Sequence, residues 1–199
     1  MPQPAGKFYL LTLKGPHMAL NSANIANPKY NLDFPSPAKD IATDMDRQAI
    51  IDLVKACALK APGGKLNHLV FNCHSAGGVL KIGTWFDRYN SPGLFGQLNG
   101  KVGVVWLQSC NACNGADGEA LCTGIATSAK CHVVSYFLSV VQTKTQLKKG
   151  QIDFDTNSIP KVLVPGGPTT FDKDKSVIFF KKLPMIVRTF EAIESKGKP

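Results

Sequence analysis

Two short apolar runs, each closing on small polar residues, constrain this chain most. The first is His68-Leu69-Val70-Phe71-Asn72-Cys73, leading into His74-Ser75-Ala76-Gly77-Gly78. The second is Val102-Gly103-Val104-Val105-Trp106-Leu107, leading through Gln108 and Ser109 to Cys110. A near-continuous apolar run of this length predicts a strand buried on both faces, as in a parallel sheet. Parallel neighbours need a crossover between them, and the stretch 79–100 is long enough to supply one. The carboxyl ends of neighbouring parallel strands lie together on one edge, where open α/β sheets build their sites. A histidine and a cysteine are therefore expected on that edge, where they could meet as base and nucleophile.

The rest of the chain keeps the alternation. Lys7 to Leu13 predicts a first strand, closed by Gly15-Pro16. Residues 15–40 are rich in Pro, Asn, Ser and Ala and lack periodicity. They are expected to form a long loop and, with Gln108, to wall a substrate cleft. Asp44-Met45-Asp46 offers capping residues to a helix with Ile50, Ile51, Leu53, Val54, Cys57 and Leu59 at helical spacing, stopped by Pro62-Gly63-Gly64. After Gly77-Gly78, Val79 to Tyr89 is expected to be helical, with Ser91-Pro92-Gly93 and Asn99-Gly100 bracketing a connector. Glu119 to Lys130 predicts a helix with Leu121, Cys122, Ile125 and Ala126 inward, and His132 to Val140 another strand. The region 141–170 is weakly patterned. Val177-Ile178-Phe179-Phe180 predicts a late strand, Met185 to Ile193 a short helix, and Lys196 to Pro199 a frayed end. The whole predicts one α/β domain over residues 1–199, with a mainly parallel sheet and crossover helices.

Composition narrows the classes. An apolar fraction of 44% and a charged fraction of 19% suit an ordinary globular protein. No apolar run reaches the roughly 18–20 residues that span a bilayer, so no membrane partner is expected. Met1 to Lys7 has no charged region followed by an apolar one, so no secretory signal is expected. The localisation implied is cytoplasmic, or secretion by a signal-peptide-independent system. The net charge of +9 comes from dispersed lysines, with few arginines and no nucleic-acid motif among them. A solvated basic face is the expectation, and nucleic acid is not an expected partner. Cys57, Cys73, Cys110, Cys113, Cys122 and Cys131 sit mostly in apolar or helical segments, which favours free thiols in a reducing compartment over a disulfide scaffold.

The order of a strand ending in His74-Ser75-Ala76-Gly77, then a strand ending in Gln108-Ser109-Cys110, resembles the caspase-like cysteine peptidases. In that family an apolar block ends in His and Gly, and a second apolar block ends in Cys. The resemblance covers about residues 66–138 and extends loosely to the first strand and the helix after it. It implies a caspase-like three-layer sandwich, a mainly parallel sheet flanked by helices. It also implies hydrolysis of peptide bonds in a protein or peptide substrate, with Cys110 as nucleophile and His74 as acid/base. The family has Gly directly after the histidine; here Ser75 and Ala76 intervene before Gly77-Gly78. The resemblance implies an oxyanion hole from the backbone N–H groups of Ser75 and Cys110. It places Gln108 in the primary specificity pocket, where caspases have Gln and Arg/Lys-specific metacaspases have Asp. No cofactor is implied. A compact basic peptidase of this kind would suit a delivered bacterial effector or toxin.

Other readings of the same residues stay open at this level. Singly, His74 would be an ordinary surface histidine and Cys110 a buried thiol. The loops that would carry the dyad could instead make a non-catalytic caspase-like binding module. Cys110-Asn111-Ala112-Cys113 has the spacing of a zinc or redox pair, although no second pair matches it. Asp117 and Glu119 suit a helix start or a cation. His17 and His132 have no evident partners in the sequence; His132 and His68, each at a strand start, are expected to be structural.

Overall fold

The computed structural model describes residues 7–13, 15–25, 33–34, 39–136, 148, 150–155, 160–164, 167–170 and 190–194. In chain order these form β1 (Lys7–Thr12), β2 (His17–Ser22), β3 (Asp33–Phe34), β4 (Lys39–Ile41), α1 (Arg47–Lys60), β5 (Leu66–Asn72), β6 (His74–Ala76), β7 (Val79–Lys81), α2 (Ser91–Gly96), β8 (Val102–Gln108), α3 (Gly115–Ala129), β9 (His132–Tyr136), β10 (Gln151–Asp155), β11 (Pro160–Val164), β12 (Gly167–Thr170) and β13 (Phe190–Glu194).

Five strands, in the order β4-β2-β5-β8-β9, run parallel and form the body of an eight-stranded sheet. β11 and β12 continue it antiparallel beyond β9, and β3 pairs antiparallel with β2 beside β4. The expected α/β class with a mainly parallel sheet is therefore the observed one. The steps β4 to β5, β5 to β8 and β8 to β9 all move the same way across the sheet. Right-handed crossovers then put their helices on one face. The core reflects this. Met18, Leu20, Leu69, Phe71, Val105, Leu107 and Val133 share one cluster with Ile50, Ile51 and Val54 of α1, Phe95 of α2, and Leu121, Cys122 and Ile125 of α3. Each such side chain, fully buried, contributes about 1.5–3 kcal/mol relative to exposure.

The other face of the same strands is also buried but more polar. It carries His17, Asn21, His68, Asn72, Trp106, Gln108 and Tyr136 beside Ala19, Val70, Val104 and Val134. His68 accepts a hydrogen bond from Trp106 Nε1 at 3.2 Å, and His17 Nδ1 donates to the Gly15 carbonyl at 2.7 Å. The structural role expected of His68 is what this packing gives it, and His17, for which the sequence offered no partner, is held in the same layer.

α1 starts where expected. The Asp46 side chain accepts from the Gln48 N–H at 2.7 Å, satisfying one orphan donor of the first turn. The helix ends before Pro62, which cannot continue it, and Gly63 turns away at φ 71°.

Several expectations are corrected. Residues 15–40 are not one long loop, because His17–Ser22 is a fully buried interior strand between β5 and the edge strands β3 and β4. Its polar ends hid it: only Met18, Ala19 and Leu20 are apolar. Val79 to Tyr89 is not a helix. Gly77-Gly78 closes a tight hairpin, so β7 turns back along β6. The connector after Ser91 contains α2, which begins with Pro92 in its first turn, where a missing N–H costs nothing. The expected first strand, β1, is observed, but outside the main sheet: it centres a three-stranded antiparallel sheet with β10 and β13. Phe190–Glu194 is a strand where a helix was expected, and 151–170 carries three strands in the weakly patterned region. The late strand at Val177–Phe180, the stretch 137–140 and residues 196–199 lie outside the described residues.

Candidate active site

The register of β5 against β8 decides where His74 and Cys110 lie. Phe71 pairs with Leu107 and Asn72 with Gln108, and the Cys73 N–H still donates to the Gln108 carbonyl at 3.4 Å. His74 and Cys110 each follow two residues beyond that last pair. Adjacent strands run about 4.8 Å apart, so the two turns start as neighbours. A direct tie holds them: the Ser75 hydroxyl donates to the Cys110 carbonyl.

Two glycines shape the hairpin that carries His74. Gly77 and Gly78 both have positive φ, 52° and 79°, as a two-residue type I′ hairpin turn requires. Gly78 also lies against the backbone of α3. A Cβ built there would stand 2.6 Å from the Asp117 carbonyl carbon and the Gly118 nitrogen. Gly118 in turn admits no side chain, since its Cβ would stand 2.7 Å from the Ala112 carbonyl oxygen. The hairpin tip, the first turn of α3 and the loop after Cys110 thus interlock through backbone.

Cys110 is presented by a sharp bend. Asn111 has φ 55°, a left-handed conformation that asparagine tolerates better than most residues. Beyond it Ala112 and Cys113 are fully buried. Cys110 is half-buried, whereas the other five cysteines are buried. Burial raises the Cys73 thiol to about 12, with the neighbouring Ser109 side chain acting in the opposite direction. Burial likewise raises Cys131 to about 12, opposed by the Lys65 charge. Cys122 is held well above its ordinary value, first by its hydrogen bond with Cys113 and then by burial. Cys113 therefore faces Cys122 in the core. Among the described residues, no three His, Cys, Asp or Glu side chains gather to hold a metal ion.

His74 is exposed on the hairpin. In the β6–β7 ladder Ala76 and Val79 flank the turn and form a hydrogen-bonded pair, so the next pair, Ser75 with Leu80, is non-hydrogen-bonded. Leu80 accordingly sends its N–H and carbonyl to Phe86, at 2.8 and 3.0 Å. By the same alternation the Ser75 N–H points out of the ladder, on the side that faces away from β7. That is the group named from sequence as an oxyanion donor, and the Ser-Ala insertion leaves it directed outward.

Gln108 is buried, at the end of a row formed with Asn72 and Asn21 by strand register. Asn72 Nδ2 donates to Asn21 Oδ1 at 2.9 Å. Sequence reasoning missed Asn21 because it treated its strand as loop. The alternation of polar His17 and Asn21 around Ala19 was the available signal. Asp117 lies in the first turn of α3 and is ion-paired with Arg88, whose guanidinium also stacks 4.6 Å from the Tyr89 ring. Glu119 is in the same helix.

No family model matches the chain, and no match is found among curated proteins.

Proposed function

We propose that this chain is a cysteine endopeptidase of caspase-like architecture, hydrolysing peptide bonds with a Cys110–His74 dyad. The observation that carries the reading is the β5–β8 register, which makes the two turns neighbours. Cys110 being the one thiol not buried in the core supports it further. The order of five parallel strands, with the histidine turn after one central strand and the cysteine turn after the next, supports the architecture.

The chemistry follows from these groups. The Cys110 thiolate attacks the scissile carbonyl carbon, and the N–H groups of Cys110 and Ser75 hold the oxyanion. His74, protonated, gives its proton to the leaving amine as the C–N bond breaks. The acyl group is then a thioester on Cys110. His74 takes a proton from water, the hydroxide displaces the thiolate, and the acid product leaves. Gln108 is neutral and buried. It fits a pocket that hydrogen-bonds the residue before the scissile bond instead of ion-pairing it.

The test is digestion of a proteome-derived peptide library by wild type, with calcium and without. His74→Ala and Cys110→Ala should each abolish cleavage with the fold intact. General acid–base help is worth roughly 10²–10⁴-fold, and residues acting as one unit lose about as much singly as together. The double variant should therefore be no worse than either single one. A library left intact by wild type ends the peptidase reading and favours a binding module on the same loops.

A further inference from the structure

The hairpin that carries His74 carries a second surface. His74 and Lys81 are directly opposed in the β6–β7 ladder, so their side chains leave the same face, and both are exposed. The Lys81 ammonium stands 5.8 Å over the ring of Trp85. Trp85 is 54% exposed, although its neighbour Phe86 is fully buried. The three side chains therefore make a strip running outward from the proposed acid/base.

The backbone shows that this exposure is enforced. Trp85 has φ 68°, a left-handed conformation that bulky residues rarely adopt. The Arg47 guanidinium donates to the Thr84 and Trp85 carbonyls at 2.7 and 3.1 Å. The Thr84 N–H donates to Met45 at 2.9 Å, and the Trp85 N–H to Ile82 at 3.1 Å. Phe86 is locked beneath by Phe71 and Phe95, with ring centroids 6.1 and 5.6 Å away. Strain held from several sides at once is characteristic of ligand clamps.

The chemistry fixes which half of a substrate would meet the strip. The general acid must touch the leaving amine, so the chain on the leaving side departs past His74. We propose that Lys81 and Trp85 form the subsite for the residues that follow the scissile bond. Trp85 stacks an aromatic or apolar side chain, and Lys81 takes a neighbouring carboxylate. The inference rests on the peptidase reading.

The experiment uses internally quenched peptides that share one cleavable sequence before the scissile bond. They carry Phe-Glu or Gly-Gly after it. Wild type should prefer Phe-Glu at least tenfold in kcat/KM. Trp85→Ala should bring that ratio to within about threefold, Trp85→Phe should keep most of it, and Lys81→Glu should turn the acidic preference toward Lys. Titrating inactive Cys110→Ala with the Phe-Glu peptide should shift the tryptophan emission, because the other tryptophan, Trp106, is fully buried. Cleavage with a ratio unchanged in Trp85→Ala, or no emission shift, overturns the subsite and leaves the peptidase standing. No cleavage of any peptide by wild type overturns both.

Discussion

Cys110 and Cys113 stand three residues apart and meet opposite environments. The left-handed Asn111 between them turns the chain so that Cys110 stays half-exposed while Cys113 enters the core beside Cys122. Thiol reactivity follows the accessible thiolate. Mild iodoacetamide at neutral pH, read by mass spectrometry, should therefore label Cys110 first among the six cysteines. Preferential labelling of Cys57, Cys122 or Cys131 would remove Cys110 as nucleophile. Ser75 has two separable roles, an outward N–H and a hydroxyl that holds the Cys110 carbonyl. Ser75→Ala removes only the hydroxyl. A net hydrogen bond is worth about 1 kcal/mol, so under the proposed peptidase mechanism kcat should fall about fivefold with little change in KM. A rate equal to wild type would show that the tie does not set the geometry. If Gln108 lines the specificity pocket of the proposed peptidase, Gln108→Asp would place a carboxylate there and should move cleavage toward Lys or Arg before the scissile bond. An unchanged library profile at full activity would take Gln108 out of that pocket.

At the scale of elements, the hairpin is what sequence patterning misjudged. Gly77-Gly78 between short runs is a hairpin signal, but the apolar residues Val79, Leu80, Ile82 and Phe86 also fit a helix. Tertiary contact decides between them: Gly78 docks on the backbone of Asp117 and Gly118, and Phe86 completes an aromatic cluster with Phe71 and Phe95. The two glycines offer a matched test. Each Ala substitution meets the left-handed penalty of about 1–2 kcal/mol. At Gly77 a Cβ meets nothing within 4 Å, whereas at Gly78 it strikes backbone at 2.6 Å. Gly78→Ala should therefore cost clearly more in Tm and in kcat/KM than Gly77→Ala. Equal losses would mean that the hairpin tip does not brace the site.

Over the whole molecule, buried thiols tie stability to pH. Cys73 and Cys131 ionise near 12 when folded, against an ordinary value of 9.0. Between those values the unfolded chain loses protons that the folded chain keeps, so stability is complete below about pH 9 and falls as pH rises above it. Each thiol contributes a slope of about 1.4 kcal/mol per pH unit there. His132 acts at the other end. Burial lowers its pKa from 6.5, so stability is lost as pH falls below that value. Urea denaturation under reducing conditions should show both declines, and Cys131→Ala should flatten the alkaline one; a midpoint level from pH 8 to 10.5 would contradict it. The chain's own patterning was enough for α1, β5, β8 and α3. Their apolar periods, the Asp46 cap and the Pro62-Gly63-Gly64 stop are local signals that act wherever the segment lies. Local signals also put His74 and Cys110 just past strands β5 and β8. They could not show that β2, with polar ends and three apolar residues, is an interior strand of the sheet. That strand is made by its neighbours β5 and β4, which bury it from both edges. Nor could they give the register that sets Asn72 against Gln108, the tie from Ser75 to the Cys110 carbonyl, or the exposure of Trp85. Each of those depends on groups far apart in the chain, whose energies exist only once the sheet has brought them together.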